Sequence, residues 1–156
     1  RLKQIARLAL AALLVPVFLL LFAFWIPWFF AWGIILRVWF WGSHAVAGRR
    51  VLFVYSESPT WQEYIEERIL PPIRERTVVL NWSQRQHWSA ESPWEARFFR
   101  RFCGSKEFNP LALVFCRGGR IRRVRFYRAF LDFKHGNELP LRAAEAELSQ
   151  LVEAAA

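Results

Sequence analysis

Residues 8–36 read "LALAALLVPVFLLLFAFWIPWFFAWGIIL", 29 positions without a charged side chain. The run exceeds the roughly 18 apolar residues that mark a membrane-helix candidate. It also exceeds the apolar core of a cleaved signal peptide, about 7–15 residues, and no small-residue cleavage pattern follows it. The pattern predicts a retained membrane anchor over residues 1–42. As one helix the run would extend roughly 43 Å against a hydrocarbon core of about 30 Å, so it must tilt, kink or continue along the surface. Pro27 is the natural break. Two forms follow: a single kinked transmembrane span continuing to Trp41, or a helical hairpin broken near Pro27 whose second arm, residues 28–41, is re-entrant. The second form keeps the flanking cations on one face, but "WIPW" holds none of the Gly, Asn or Ser that make tight turns. Trp25, Trp28, Trp32, Trp39 and Trp41 are expected at the membrane interface, where an indole ring meets apolar chains and its N–H finds water or a lipid oxygen.

Beyond a short basic linker, residues 43–50, the pattern changes to alternating short elements. "VLFVY" (51–55) predicts a buried strand. A helix follows from Ser58 or Thr60, with Thr60 and Glu63 spaced as a capping box, Trp61, Ile65 and Ile69 facing inward beside Tyr64, and Pro71 and Pro72 as the stop. "TVVLNW" (77–82) predicts a second strand. Residues 92–104 predict a second helix with Ser92 and Glu95 as a capping box, Pro93 at its first position and Gly104 at its end. "LALVFC" (111–116), "RGGR" and "IRRVRFYRAF" (121–130) read as a β-hairpin. A last helix carries Leu141, Ala144, Leu148, Leu151 and Val152 on one stripe. The order β-α-β-α-β-β-α over residues 51–156 is an α/β domain.

Composition sharpens the division. Residues 1–50 hold six cations and no acid, so all 13 acids lie beyond them, together with 16 cations. A net charge this small beyond the anchor argues against nucleic acid as a partner. Aromatic residues make up 17% of the chain, with 9 Trp, and their excess in the anchor predicts contact with lipids or other membrane subunits. If positive charge stays inside, the basic linker places the soluble domain on the cytoplasmic side. The chain opens on Arg1 and contains no methionine, which predicts that the natural N-terminus is missing or processed.

The element order, with Pro110 directly before the third strand in "FNPLALVF", resembles the thioredoxin-like fold. The resemblance implies a cis bond before Pro110. It also places residues 60–63 (Thr60, Trp61, Gln62 and Glu63, within "VLFVYSESPTWQEY") at the position of that fold's Cys-x-x-Cys motif. No cysteine stands there. Thiol–disulfide exchange needs an activated thiolate, and a Ser or Thr hydroxyl needs an adjacent base to attack. Ser58 and Thr60 are therefore read as helix caps, and the domain as one that keeps the scaffold without the redox centre.

Other chemistry is sparse. Cys103 and Cys116 have neither metal nor redox spacing, and His44, His87 and His135 are scattered, so neither a metal nor another cofactor is expected. Packing is the expected role of both cysteines, with a disulfide between them, or a reactive Cys103, as alternatives. Arg117, Arg120, Arg122, Arg123, Arg125 and Arg128 fall on one hairpin. They read either as a charge-protected sheet edge or as an anion- and partner-binding face. Asp132, Lys134 and His135 in "FLDFKHGNELP" make either a small polar site or turn chemistry, and Trp82, Trp88 and Trp94 either close a second core or contact a membrane or partner. The leading expectation is a non-catalytic, membrane-anchored accessory or scaffolding subunit of a membrane complex. The alternatives are a membrane-tethered thiol oxidoreductase using a single cysteine, and a peripheral module binding anionic lipid.

Overall fold

A computed structural model describes residues 2–86, 93–104 and 108–155, and the side chains of residues 2–13 are outside the description. The chain divides into two units, Arg1–Ile35 and Leu36–Ala156.

The first unit belongs to one helix, α1, which runs Leu2–Phe40 with Pro16 and Pro27 inside it. No hairpin forms at Pro27, in keeping with the absence of turn residues beside it. A segment of 32 residues, Leu14–Ala45, has a mean hydropathy of 2.3 and is long and apolar enough to cross a membrane. From Leu14 to Phe30 its side chains stand outward: Phe24 is 78% exposed and Trp28 64%. Rings four residues apart stack along it, Trp25 on Phe29 at 5.2 Å and Trp28 on Trp32 at 6.4 Å. Such pairs share a helix face because the helix repeats every 3.6 residues.

The second unit is built on a four-stranded mixed sheet with strand order β2-β1-β3-β4. β1 (Val51–Tyr55) pairs parallel with β2 (Thr77–Asn81) and antiparallel with β3 (Leu111–Phe115), which pairs antiparallel with β4 (Ile121–Arg125). The two central strands are apolar at every position and buried throughout, as strands covered on both faces must be. Alternation sends Val51, Phe53, Tyr55, Ala112, Val114 and Val124 to one face. There they meet Ile65 and Ile69 from the helical segment after β1, Phe130 from α4 (Tyr127–Lys134) and Leu141, Leu148 and Val152 from α5 (Leu139–Ala155).

The other face carries Leu52, Val54, Leu111, Leu113 and Phe115, equally buried. It is covered by α3 (Trp94–Phe102) and by the last turns of α1. Phe40 is fully buried, its ring 4.4 Å from Phe98 and 5.6 Å from Phe115, and Leu36 is buried with it. The π-helical turn Trp41–Ala45 continues α1, Ala45 is buried, and His44 Nε2 lies 3.1 Å from Glu95 Oε1. His44 and Ala45 thus pack with the sheet unit while Ser43 is exposed, and an exposed turn follows from Val46, with Gly48 at φ +81°. Arg50 follows with its guanidinium donating to the Ala155 carbonyl at the end of α5.

Two further elements differ from their sequence pattern. β4 stops at Arg125, and residues 127–134 are helical rather than strand. Val124 and Phe126 satisfy a two-residue period, but Phe126, Ala129 and Phe130 are all buried, which is a helical spacing. The Phe130 N–H donates to the Phe126 carbonyl at 2.9 Å. The Thr60–Glu63 capping box does not form. The Ser58 carbonyl accepts from Trp61 N–H at 3.2 Å and Gln62 N–H at 2.9 Å, so Ser58 opens the turn that leads into α2 (Gln62–Tyr64). Ser92 lies outside the described residues, and α3 starts from Pro93 as N-cap.

Candidate functional site

The ends of the parallel strands β1 and β2 lie side by side, Tyr55 in register with Asn81. Ligands of open α/β sheets gather at such carboxyl ends. Here the ends are tied together: Glu57 Oε1 accepts from Asn81 Nδ2 at 2.8 Å, and the Glu57 N–H donates to Ser83 Oγ at 2.9 Å. Residues 60–63 follow immediately. Trp61 is held from both sides, its indole N–H donating to the Ser56 carbonyl at 2.9 Å and its ring lying 6.2 Å from Phe130. Thr60 N–H donates to Ser58 Oγ at 3.4 Å. Gln62 Nε2 donates to Glu66 Oε1 at 3.2 Å, and that oxygen also accepts from Tyr55 Oη at 2.8 Å. Thr60, Glu63, Tyr64, Glu67, Arg68 and Phe133 wall an open groove of about 550 Å³, whose far side is the Glu138–Arg142 ion pair at 2.8 Å. Both signs of charge line it, and the Asn109–Pro110 peptide before β3 is cis.

Burial and the Glu66 carboxylate push the Tyr55 hydroxyl up to about 12. Tyr64 is raised by burial and by Glu145. A phenol with a raised folded pKa holds its proton more tightly in the folded state, so its contribution is full below its unfolded value near 10 and is lost as pH climbs toward 12. In an ultraviolet titration of tyrosinate, Tyr55 is expected to ionise last, with alkaline unfolding setting in across that window. A full tyrosinate signal at about pH 10 from a still-folded protein would contradict this.

Cys103 and Cys116 are not joined in a disulfide. Cys103 is 7% exposed, with Sγ 3.2 Å from the Gly104 carbonyl oxygen, and Cys116 is half-buried at the end of β3. Alkylation by iodoacetamide at mildly acidic pH is expected to be slower at Cys103 than at Cys116, and slower at both than at a free thiol. Rapid modification of Cys103 would reveal an activated thiolate.

The arginines do not form a single hairpin cluster. Arg117 and Arg120 flank the turn, Arg122, Arg123 and Arg125 alternate along β4, and Arg128 sits on α4. Alternation puts Arg123 and Arg125 on the α3 side of the sheet and Arg122 on the opposite side. The Arg123 guanidinium donates to the Cys103 carbonyl at 3.4 Å. A second basic group, absent from the hairpin reading, joins them: Arg37 lies over Phe102 at 4.9 Å, Arg97 over Trp94 at 5.2 Å and Arg100 over Trp82 at 5.6 Å. The signal was present in "EARFFRRF", where positions 97, 100 and 101 fall on neighbouring faces of a helix.

The remaining candidates lie apart from one another. Trp39 stacks on Trp94 at 5.5 Å and is half-buried, whereas Trp25, Trp28 and Trp41 are exposed. Trp82 packs on Phe99 at 5.0 Å, and Trp88 lies outside the described residues. Asp132 and Lys134 end α4, and the Asp132 carbonyl accepts from His135 and Asn137 N–H at 3.0 Å each. His87 is outside the described residues. Among the described residues no three His, Cys, Asp or Glu side chains are grouped to hold a metal ion.

No protein-family model, curated protein or solved structure matches this chain.

Proposed function

We propose that the chain is a membrane-anchored accessory or scaffolding subunit of a membrane complex, docking through a thioredoxin-like domain that has lost its redox centre. One observation carries the proposal: the last turns of the apolar helix, through Leu36 and Phe40, are core residues of the α/β unit. A domain on a flexible tether would not bury the end of its own anchor. The α/β unit therefore follows the apolar helix with no tether between them.

The order β-α-β-α-β-β-α-α, one helix more than the sequence pattern carries, with strands arranged β2-β1-β3-β4, supports the thioredoxin-like reading, and residues 60–63 then stand at the motif position. Their polar atoms serve the local turn. Fold alone does not assign function, and burial of Cys103 weighs against the single-cysteine oxidoreductase. A cytoplasmic domain remains part of the proposal, resting on the cations that flank the span.

The exposed aromatic face of α1 offers a direct test. Phe18, Leu21, Phe22, Phe24, Trp25 and Trp28 wall a shallow apolar groove of about 620 Å³. With a photoreactive phenylalanine analogue replacing Trp28 in native membranes, the expected product is a discrete protein adduct. Adducts to lipid alone would count against a partner subunit on this face.

A further inference from the structure

The sheet of the α/β unit has two outer edges, and they differ. β4 forms one, with Arg122, Arg123 and Arg125 exposed along it, and a charged edge of this kind resists pairing with another chain. β2 forms the other, and its residues, Thr77–Asn81, carry no charge. Parallel pairing with β1 uses only the inner side of β2. The outer side of an edge strand presents a row of backbone donors and acceptors. Thr77 N–H is satisfied by the Arg74 carbonyl in the preceding turn. Among the described residues, no backbone group beyond β1 pairs with Val78, Val79 or Leu80, and the Val79 side chain is 42% exposed.

This edge is complementary to itself. In an antiparallel pair about a two-fold axis through Val79, Val79 meets Val79 of a second copy, Val78 meets its Leu80 and Thr77 meets its Asn81. Apolar side chains then oppose apolar ones on both faces of the sheet, polar ones meet at the strand ends, and no like charges are opposed. Moving the axis by one residue in either direction spoils the match. It sets Arg76 opposite Leu80, or carries Thr77 past the strand end to Ser83. A contact in which the same patch serves both partners closes as a dimer and leaves no edge of this kind free.

We propose that β2 is the edge at which two copies of this chain join, strand to strand and antiparallel, with Val79 on the two-fold axis. The two four-stranded sheets then run on as one. The pairing concerns the α/β unit alone and is independent of what the anchor meets in the membrane, so it goes beyond the accessory-subunit reading. One short strand from each copy falls well below the roughly 20–30 residues a side of a standard interface. The dimer is therefore reversible, and its population depends on concentration.

The test uses the full chain in mild detergent, with Val79→Cys compared against Val46→Cys. Val46 is 65% exposed on the turn after α1, and the unsubstituted chain, with Cys103 buried and Cys116 half-buried, is the blank. Directly opposed residues of an antiparallel pair have Cβ atoms about 4.5–5.5 Å apart, close to the span of a disulfide. With diamide as the oxidant, Val79→Cys is expected to give a disulfide-linked dimer at least about tenfold faster than Val46→Cys, because paired thiols meet at a raised effective concentration. In sedimentation equilibrium the dimer fraction of the unsubstituted chain should rise with concentration. Val79→Lys, which opposes two ammonium groups across the axis, should leave monomer, whereas Val46→Lys should keep the dimer. Both positions are exposed, so each variant is expected to fold as the unsubstituted chain does. Equal cross-linking rates at the two positions would overturn the proposal, as would a dimer that survives Val79→Lys intact or a chain that stays monomeric at every concentration. In native membranes, a Val79→Cys adduct to a different protein in place of the dimer would overturn the second copy as the occupant.

Discussion

Replacing Phe40 with alanine is expected to destabilise the α/β unit by about 3–5 kcal/mol, the usual range for emptying a buried aromatic site. A domain of this size has a total stability of only about 5–15 kcal/mol, so the variant approaches or crosses the folding threshold. Phe40 is completely buried, stacked at 19° on Phe98 and in contact with the rings of Phe115 and His44. Three elements, α1, α3 and β3, converge on it, and no neighbour can fill its volume without moving one of them. Val38, two residues earlier on the same helix, is 61% exposed, and Val38→Ala should change stability by no more than about 0.5 kcal/mol. Denaturant unfolding of the full chain in mild detergent separates the two. Equal, small effects would mean that the end of α1 is not part of the domain core.

Phe130→Ala is expected to cost about the same, 3–5 kcal/mol, and its neighbours show why the region is helical. Phe130 is fully buried beneath Trp61, Tyr64 and Phe126, with ring centroids at 6.2, 5.7 and 6.3 Å. Arg128 lies between Phe126 and Phe130 in sequence and is exposed. On a strand residues 126, 128 and 130 would share one face; on a helix 126 and 130 share a face and 128 does not. Arg128→Ala should therefore be nearly neutral. A large loss from Arg128→Ala together with a small one from Phe130→Ala, measured by the same unfolding, would favour the strand.

These sites also mark how far the sequence was legible. The apolar helix, the three predicted strands at residues 51, 77 and 111 and the final helix were all readable, because each has one dominant period or an uninterrupted apolar run. The end of the anchor was not. In a membrane helix the side chains that face lipid and those that face protein are chemically alike, so nothing in "IILRVWFWG" distinguished buried Leu36 and Phe40 from exposed Ile35 and Val38. The polar composition of residues 42–50 suggested a linker, yet His44 is engaged by Glu95, a pairing across 51 residues that no local pattern carries. At "IRRVRFYRAF" two periods fit the same apolar residues, and only packing of Phe126 and Phe130 against the segment after β1 selects the helical one.

At the candidate site the absence of cysteine from residues 60–63 was plain from the sequence, but the arrangement of those residues was not. Thr60 and Glu63 had the spacing of a capping box, but α2 starts without a side-chain cap, from a turn in which the Ser58 carbonyl accepts from two successive N–H groups. The basic surface was only half visible. Hairpin arginines drew attention by their density, whereas Arg37, Arg97 and Arg100 join them only when α1 and α3 pack on the same side of the sheet.

The most direct measurement of the accessory-subunit account is purification of the full-length protein in a gentle detergent at its native abundance, with quantitative mass spectrometry of the proteins that remain bound. The account predicts a fixed stoichiometry with one or more integral membrane proteins, retained through size exclusion. A lone monomer, recovered in full and still folded, would contradict it.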